Sequence, residues 1–506
     1  MDPRWQNLSD PIFHHAETRP DAPALIDGGA RLRYRDLARL VASASAYLRD
    51  LGIGEGDRVG VALANSAEHI ILVFALARIG ATLVELSPDD NADALGATAR
   101  KYGIRTIFTE AMVAPPPGVA QFRVGIAWRR EIARKGGDHR SAATAEQLET
   151  ILLTTGSTGM PSGWVTPQRA FLRRAEALIA FWRACGIDPE TGGGTFLLTA
   201  AMRYVYFFVS PLAQLCAGGA VAIVPEFAKR RDFLRAVASW DDAICYVTPN
   251  MCRFFLESAA DAGCLLPNIR LLQSGGLPLF AEEKRALLAR VTPHFYDGYG
   301  TAVAGMISIV TPLDLVTRPG SVGRPAPGLA LEVVDADDRP VPPGGDGRIR
   351  CRSTSLSARR CAEDADLLSA ERLVGGWYYP GDIGTLDQDG FIYLKGRAAD
   401  IARRAGGDVF TSEIEAAIMS HPAVADAAVI VRQLPGGGDA LVAFIVRRGA
   451  LDHDALAQFC RTKLTLERMP DNVYYIDALP RIGADKVDRM RLGELAAQHA
   501  APRPGR

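Results

Sequence analysis

The chain has 506 residues, more than a single hydrophobic core organises, so at least two domains are expected. Hydrophobic residues make up 48% and charged residues 23%, a balance that excludes a disordered or fibrous chain. Lys+Arg is 57 against Asp+Glu 58, and with a net charge of -1 no global basic field points to nucleic acid.

The first residues, MDPRWQNLSDPIFHH, are polar and acidic where a signal peptide carries an apolar core. Residues 58–87 then give the clearest local pattern. RVGVAL reads as a buried strand, EHIILVFALARIG as a helix closed by Gly80, and ATLVEL as a second strand. Strand, helix, strand is a βαβ unit, so part of a sheet is parallel. The uncharged run 204–225 is nearly long enough to span a bilayer, but Pro211 and the Gly218-Gly219 pair interrupt it. A buried helix breaking into strand AVAIV fits better. AICYVTP (243–249), IRLLQSGG (269–276) and the helix FAEEKRALLARV (280–291) extend the α/β texture.

From about residue 320 short β-rich runs alternate with Gly/Pro turns, as in small antiparallel strands. DQDGFIYLKGR (387–397) contains a turn between two strands. Helix SEIEAAIMSH, strands AVADAAVIV and ALVAFIVRR and helix DHDALAQFCRTKL make a separate α+β unit, and the tail AAQHAAPRPGR is expected to fray. No repeats are visible. The eight cysteines form no C-x-x-C pair and have neither disulfide-framework nor zinc-site spacing, so a soluble protein in a reducing cytoplasm is the simplest expectation.

The segment ILLTTGSTGMPSGW (151–164) runs an apolar strand into Thr154, Thr155, Gly156, Ser157, Thr158 and Gly159. Glycines let backbone N–H groups converge on an anion and hydroxyls add donors, which is chemistry for phosphate; a plain Ser/Thr/Gly surface loop fits the composition equally well. It is not a Walker loop, because no Gly-Lys-Ser/Thr follows and Ser162 stands where a lysine is usual.

With SGGLPL (274–279), YDGYGT (296–301), GSVGRPAPG, WYYPGDIGTLDQDGFIYLKGR, SEIEAAIMSHPAV and LPRIGADKVDR in order, the chain resembles the adenylate-forming superfamily. That superfamily comprises acyl- and aryl-CoA synthetases, luciferases and peptide-synthetase adenylation domains. The resemblance implies an α/β fold with a large N-terminal AMP-binding domain, residues 1–396. That domain has parallel and mixed sheets, helices and a small β-barrel-like section. A small mobile α+β domain, residues 397–506, follows it.

By the same resemblance, Tyr299 stacks on adenine, Asp297 accepts from its exocyclic amine, and the main chain at Gly275 and Gly276 lets the base lie close. Gly300 and Thr301 continue that turn. Asp382 holds the ribose hydroxyls and Arg397 reinforces the ribose and α-phosphate side. Lys486, one of only seven lysines, is the catalytic cation that offsets negative charge as a carboxylate attacks phosphate. Asp485 replaces the glycine usual beside it. ATP, Mg²⁺ carried in with it, and CoA or a carrier-protein phosphopantetheine are the implied cofactors.

The pattern breaks on one side of the nucleotide. Ser162 replaces the loop lysine, and Ala302 and Val303 replace the Thr-Glu that usually contacts phosphate and Mg²⁺. Valine cannot ligate a hard cation, so no residue is assigned to metal. Restoring Val303→Glu is expected to raise Mg²⁺-dependent activity. One reading is an acid–thiol ligase that survives the loss; the other is an ATP-independent acyl-thioester transferase or a non-catalytic ligand-binding homologue.

No carboxylate stands near Tyr206, where amino-acid-activating domains hold an α-ammonium, so the expected acid is non-amino, aryl or short acyl. Arg203, Tyr204, Phe208, Leu277 and Ala302 are its candidate pocket, and Gly406 and Gly407 are candidates for the thiol path. An acyl carrier protein is a possible partner; nucleic acid and membrane insertion are not expected.

Overall fold

The computed structural model describes the chain except residues 1–4, 112–116, 138–140, 142–143, 145–147, 155–161, 192, 226–228, 260–262, 357–358, 362–371, 405–406, 435–436, 483–485 and 501–506. Two compact units emerge. The first is Met1–Pro319 with Ala326–Leu329 and Ser353–Leu367; the second is Gly320–Pro325, Ala330–Arg352 and Leu368–Arg506. Packing therefore groups the small antiparallel strands with the C-terminal residues, and the expected boundary at Arg397 lies inside the second unit.

The first unit contains two large sheets. In one, neighbouring strands run Gly305–Val310, Phe295–Thr301, Ile269–Gly275, Ala243–Val247, Thr195–Leu198, Val221–Ile223, Pro23–Asp27 and Ala30–Arg33. Its centre is parallel and its ends antiparallel. In the other, Arg58–Ala62 lies between Thr82–Glu85 and Thr106–Thr109, parallel to both. That is the βαβ unit read from the sequence.

Its crossover helix, Ala67–Ile79, is buried at every residue. Ser66 caps it by accepting from the His69 amide, and Gly80 ends it at φ 83°, a conformation that disfavours side chains. The polar residues of this helix are partnered: Glu68 with Arg129, His69 with Glu85, and Arg78 with Ser9. The 204–225 run is helix Val205–Cys216 and strand Val221–Ile223, as expected. Among the described residues no helix is long and apolar enough to cross a membrane.

In the second unit, Arg372–Val374, Trp377–Tyr379, Gly347–Arg352, Asp382–Leu386, Ile392–Arg397 and Ala330–Val334 form an antiparallel sheet. A second sheet joins Val424–Gln433, Asp439–Arg447 and Asn472–Tyr475. Its side chains alternate between two cores: Val429, Leu441, Ala443 and Ile445 meet helices Thr411–Met419 and His453–Arg461, while Ile430, Val442 and Phe444 face helix Arg489–Ala500. That last helix corrects the expected fraying for residues 496–500, with Leu492 and Ala496 fully buried; the rest of the expected tail, 501–506, lies outside the described residues.

Candidate active site

The strands Ile269–Gly275 and Phe295–Thr301 are parallel neighbours, with Ser274 opposite Asp297 and Gly275 opposite Gly298. Their carboxyl ends bring together Gly275, Gly276, Asp297, Tyr299, Gly300 and Thr301, where open α/β sheets bind ligands. A Cβ on Gly275 would collide with the Gly298 carbonyl oxygen. Gly276 is exposed at φ 87°, and nothing lies within 4 Å of the point a Cβ would occupy, leaving open space over the strand end. Tyr299 is partly exposed there. This is a surface on which a flat base can lie.

Asp297 has a partner the sequence reading missed. Its Oδ2 is 2.5 Å from Lys284 Nζ, on helix Ala281–Arg290, and both side chains are buried. Burial pushes the Asp297 carboxyl up, the Lys284 charge and hydrogen bond pull it part of the way back, and the net direction is upward. The 2.5 Å contact ties Asp297 to Lys284 at the strand end.

After Tyr299 the chain turns sharply. The Thr301 hydroxyl oxygen accepts from the Ala304 amide at 3.0 Å. Arg174, from helix Gln168–Ala184, donates to the carbonyl oxygens of Ala302 (3.4 Å) and Val303. Val303 is 1% exposed, so the position that carries a metal-binding glutamate in the resembled pattern is here an apolar, enclosed one. The described residues contain no cluster of His, Cys, Asp and Glu able to hold a metal ion. They do not fit a protein-ligated Mg²⁺ at this turn.

The phosphate-loop candidates Thr155, Gly156, Ser157, Thr158 and Gly159 lie outside the described residues, as does Gly406. Thr154 ends strand Glu149–Thr154 and pairs with Ser162, which begins the antiparallel strand Ser162–Pro167. Ser162 is buried in that strand.

Of the pocket candidates, Arg203 and Tyr204 are partly exposed, with the guanidinium 5.0 Å from the Tyr204 ring. Leu277 and Ala302 are also partly exposed. Phe208 is not a surface residue: it is fully buried, 5.2 Å from Phe171 in the main core. The alternation of a helix in an uncharged run hid which aromatics face inward. A different cluster stands beside the glycine strands. Tyr206 stacks on Tyr246 at 3.9 Å and donates to Gln273, whose amide lies 3.9 Å from the Met306 sulfur. Tyr246 and Gln273 sit in strands read correctly from sequence, but both strands are buried almost throughout, so no alternation marked which side chains join the cluster.

In the second unit, Asp382 and Arg397 are cross-strand partners, with Arg397 Nε 3.3 Å from Asp382 Oδ1. Asp382 is buried, while Arg397 is nearly half-exposed. Lys486 is exposed in strand Lys486–Val487, paired with Arg481–Ile482. Gly407 is exposed at the start of strand Gly407–Phe410.

The first unit holds a glycine-lined strand end and the second a paired Asp–Arg on an antiparallel sheet, and sequence comparison supplies the family. The family model described as AMP-binding enzyme matches residues 12–358, and the AMP-binding enzyme C-terminal domain matches residues 413–486. The chain belongs to the AMP-binding enzymes, the adenylate-forming superfamily. This AMP-binding enzyme is 28% identical to acetyl-coenzyme A synthetase of Streptomyces coelicolor, over 92% of this chain and 78% of that protein. It is 27% identical to the fatty acid–[acyl-carrier-protein] ligase ScoC of Streptomyces coeruleorubidus, over 97% and 96%. ATP-bound MatB from Rhodopseudomonas palustris shares the fold, with a TM-score of 0.85 at 22% identity over 98% and 99% of the two chains.

Proposed function

We propose that this AMP-binding enzyme is an ATP-dependent acid–thiol ligase. A carboxylate oxygen attacks the α-phosphorus of ATP, pyrophosphate leaves, and an acyl-adenylate forms. A thiolate then attacks the acyl carbon and AMP departs, leaving a thioester. The adenylate makes a poor electrophile reactive because AMP leaves far more readily than oxide.

The observation that carries this reading is the open glycine strand end beside Tyr299, in a chain matched by the AMP-binding family models. Asp382 would accept from both ribose hydroxyls, since one carboxylate offers two oxygens. Lys486 would offset charge as one anion attacks another. Mg²⁺ would accompany ATP, held by phosphate and water, and no step is assigned to a protein-bound metal.

The acid is a non-amino one, aryl or short acyl. Tyr206 and Met306 are partly exposed over buried Tyr246 and Gln273, and the four supply no carboxylate for an ammonium. Arg203 would meet a further acidic group on the substrate. CoA and a carrier-protein phosphopantetheine present the same thiol arm, and Gly407 would lie on its path. Residues 397–506 would swing about Arg397 between the two half-reactions.

Exchange of labelled pyrophosphate into ATP, dependent on added acid, tests the reading. Exchange with aryl or short-chain acids is the expected result. Its absence across a broad panel, with acyl transfer between thiols instead, would favour the transferase.

A further inference from the structure

The depleted phosphate end raises the question of what replaces the missing lysine, threonine and glutamate. Arg174 projects from helix Gln168–Ala184 and is 6% exposed. Its stem runs under Gly305, where a Cβ would meet Arg174 Cδ at 3.3 Å, and its guanidinium lies 5.5 Å from the Phe171 ring. From there it donates to two successive carbonyl oxygens, those of Ala302 and Val303. A trans peptide directs its N–H opposite to its C=O. Holding these two carbonyls therefore turns the amides of Val303 and Ala304 away from the guanidinium. The Ala304 amide meets Thr301 Oγ1 at 3.0 Å. With that oxygen accepting, the hydroxyl proton of Thr301 is the one left to donate.

We propose that Arg174 is a positioning residue: by clamping the 302–303 carbonyls it sets the Thr301 hydroxyl as a donor to a nucleotide phosphate oxygen. Thr301 then does the work of the threonine that Ala302 replaces. The proposal rests on the nucleotide-binding reading above and deepens it. A buried arginine committed to backbone carbonyls acts here through geometry. It fixes a hydroxyl that a flexible turn would let rotate.

Calorimetry with adenosine, AMP and ATP separates this from a packing role. Arg174→Met and Thr301→Val should each weaken AMP and ATP by roughly ten-fold while adenosine changes less than about two-fold. The double variant should bind AMP no worse than Thr301→Val alone, because the arginine acts through the threonine. Arg174→Lys, which keeps one donor, should recover part of the loss. Should Arg174→Met not fold, Thr301→Val and Arg174→Lys carry the comparison. Equal weakening of adenosine and AMP, or additive losses in the double variant, would overturn the proposal. Wild-type protein that binds none of the three would instead overturn the nucleotide reading itself.

Discussion

Lys284 Nζ and Asp297 Oδ2 lie 2.5 Å apart, with their side chains only 5% and 8% exposed. The pair locks helix Ala281–Arg290 to the strand that carries Tyr299. Removing one partner leaves an uncompensated charge in a dry place. Lys284→Met is expected to lower the unfolding free energy by about 3–5 kcal/mol in urea titration. Adding Asp297→Asn to it should restore most of that loss, since neither charge then remains. A single variant within about 1 kcal/mol of wild type would show that water reaches the pair.

A second buried pair holds a histidine whose pKa is shifted. His69 Nε2 is 3.0 Å from Glu85 Oε1, at the root of the first βαβ unit. Burial alone would lower the His69 pKa, but the Glu85 charge and hydrogen bond more than offset it, and the net direction is upward. Stability from this raised value is fully present below the ordinary histidine pKa of 6.5 and is lost as pH rises through the folded-state value. The stability advantage of wild type over Glu85→Gln should therefore be larger at pH 6 than at pH 9, read by thermal melts at both. A gap that widens on the alkaline side would contradict the assignment.

Asp382→Asn tests the proposed ribose contact. The asparagine keeps the size but has one acceptor oxygen and no charge. AMP affinity is expected to fall roughly ten-fold or more, and the preference for AMP over its 2′-deoxy form should shrink with it. An unchanged preference would place the ribose elsewhere.

Lys486→Ala should suppress adenylate formation far more than thioester formation from a supplied acyl-adenylate. In the proposed mechanism the ammonium would answer charge that develops only while the carboxylate attacks phosphate. Single-turnover assays of each half-reaction read the two separately; equal losses would mean that Lys486 has a different role.

Much of the scaffold was legible because its signals are local. Ser66 and Gly80 bracket one helix, and the alternation from Val424 to Ile445 reports a sheet with a core on each face. The pairing of Pro23–Asp27 with Val221–Ile223 was not legible, because it joins segments nearly 200 residues apart with no shared pattern. Lys284 hid in the charged run AEEKR, which reads as a solvated helix face until packing buries its fourth residue. The motif resemblance assigned Asp382 and Arg397 to the ribose side, but their cross-strand pairing was not read from the sequence. Phe208 shows the converse failure, an aromatic chosen for a pocket that the helix turns into core.

Val303 reverses an expectation from the sequence. Replacing it with glutamate looks like restoring a metal ligand, but the side chain is 1% exposed and its own carbonyl oxygen is held by Arg174. A carboxylate here would leave water and, if it draws the guanidinium away from the Ala302 and Val303 carbonyls, would also break the turn that orients Thr301. Val303→Glu is therefore expected to destabilise the protein by a few kcal/mol and to weaken ATP binding. Val303→Ala is expected to lose about 1–2 kcal/mol of stability, with nucleotide affinity nearly unchanged. Urea titration and calorimetry on the two variants check this directly. A glutamate variant as stable as wild type, with tighter Mg²⁺-dependent ATP binding, would show that the turn can open to receive the ion.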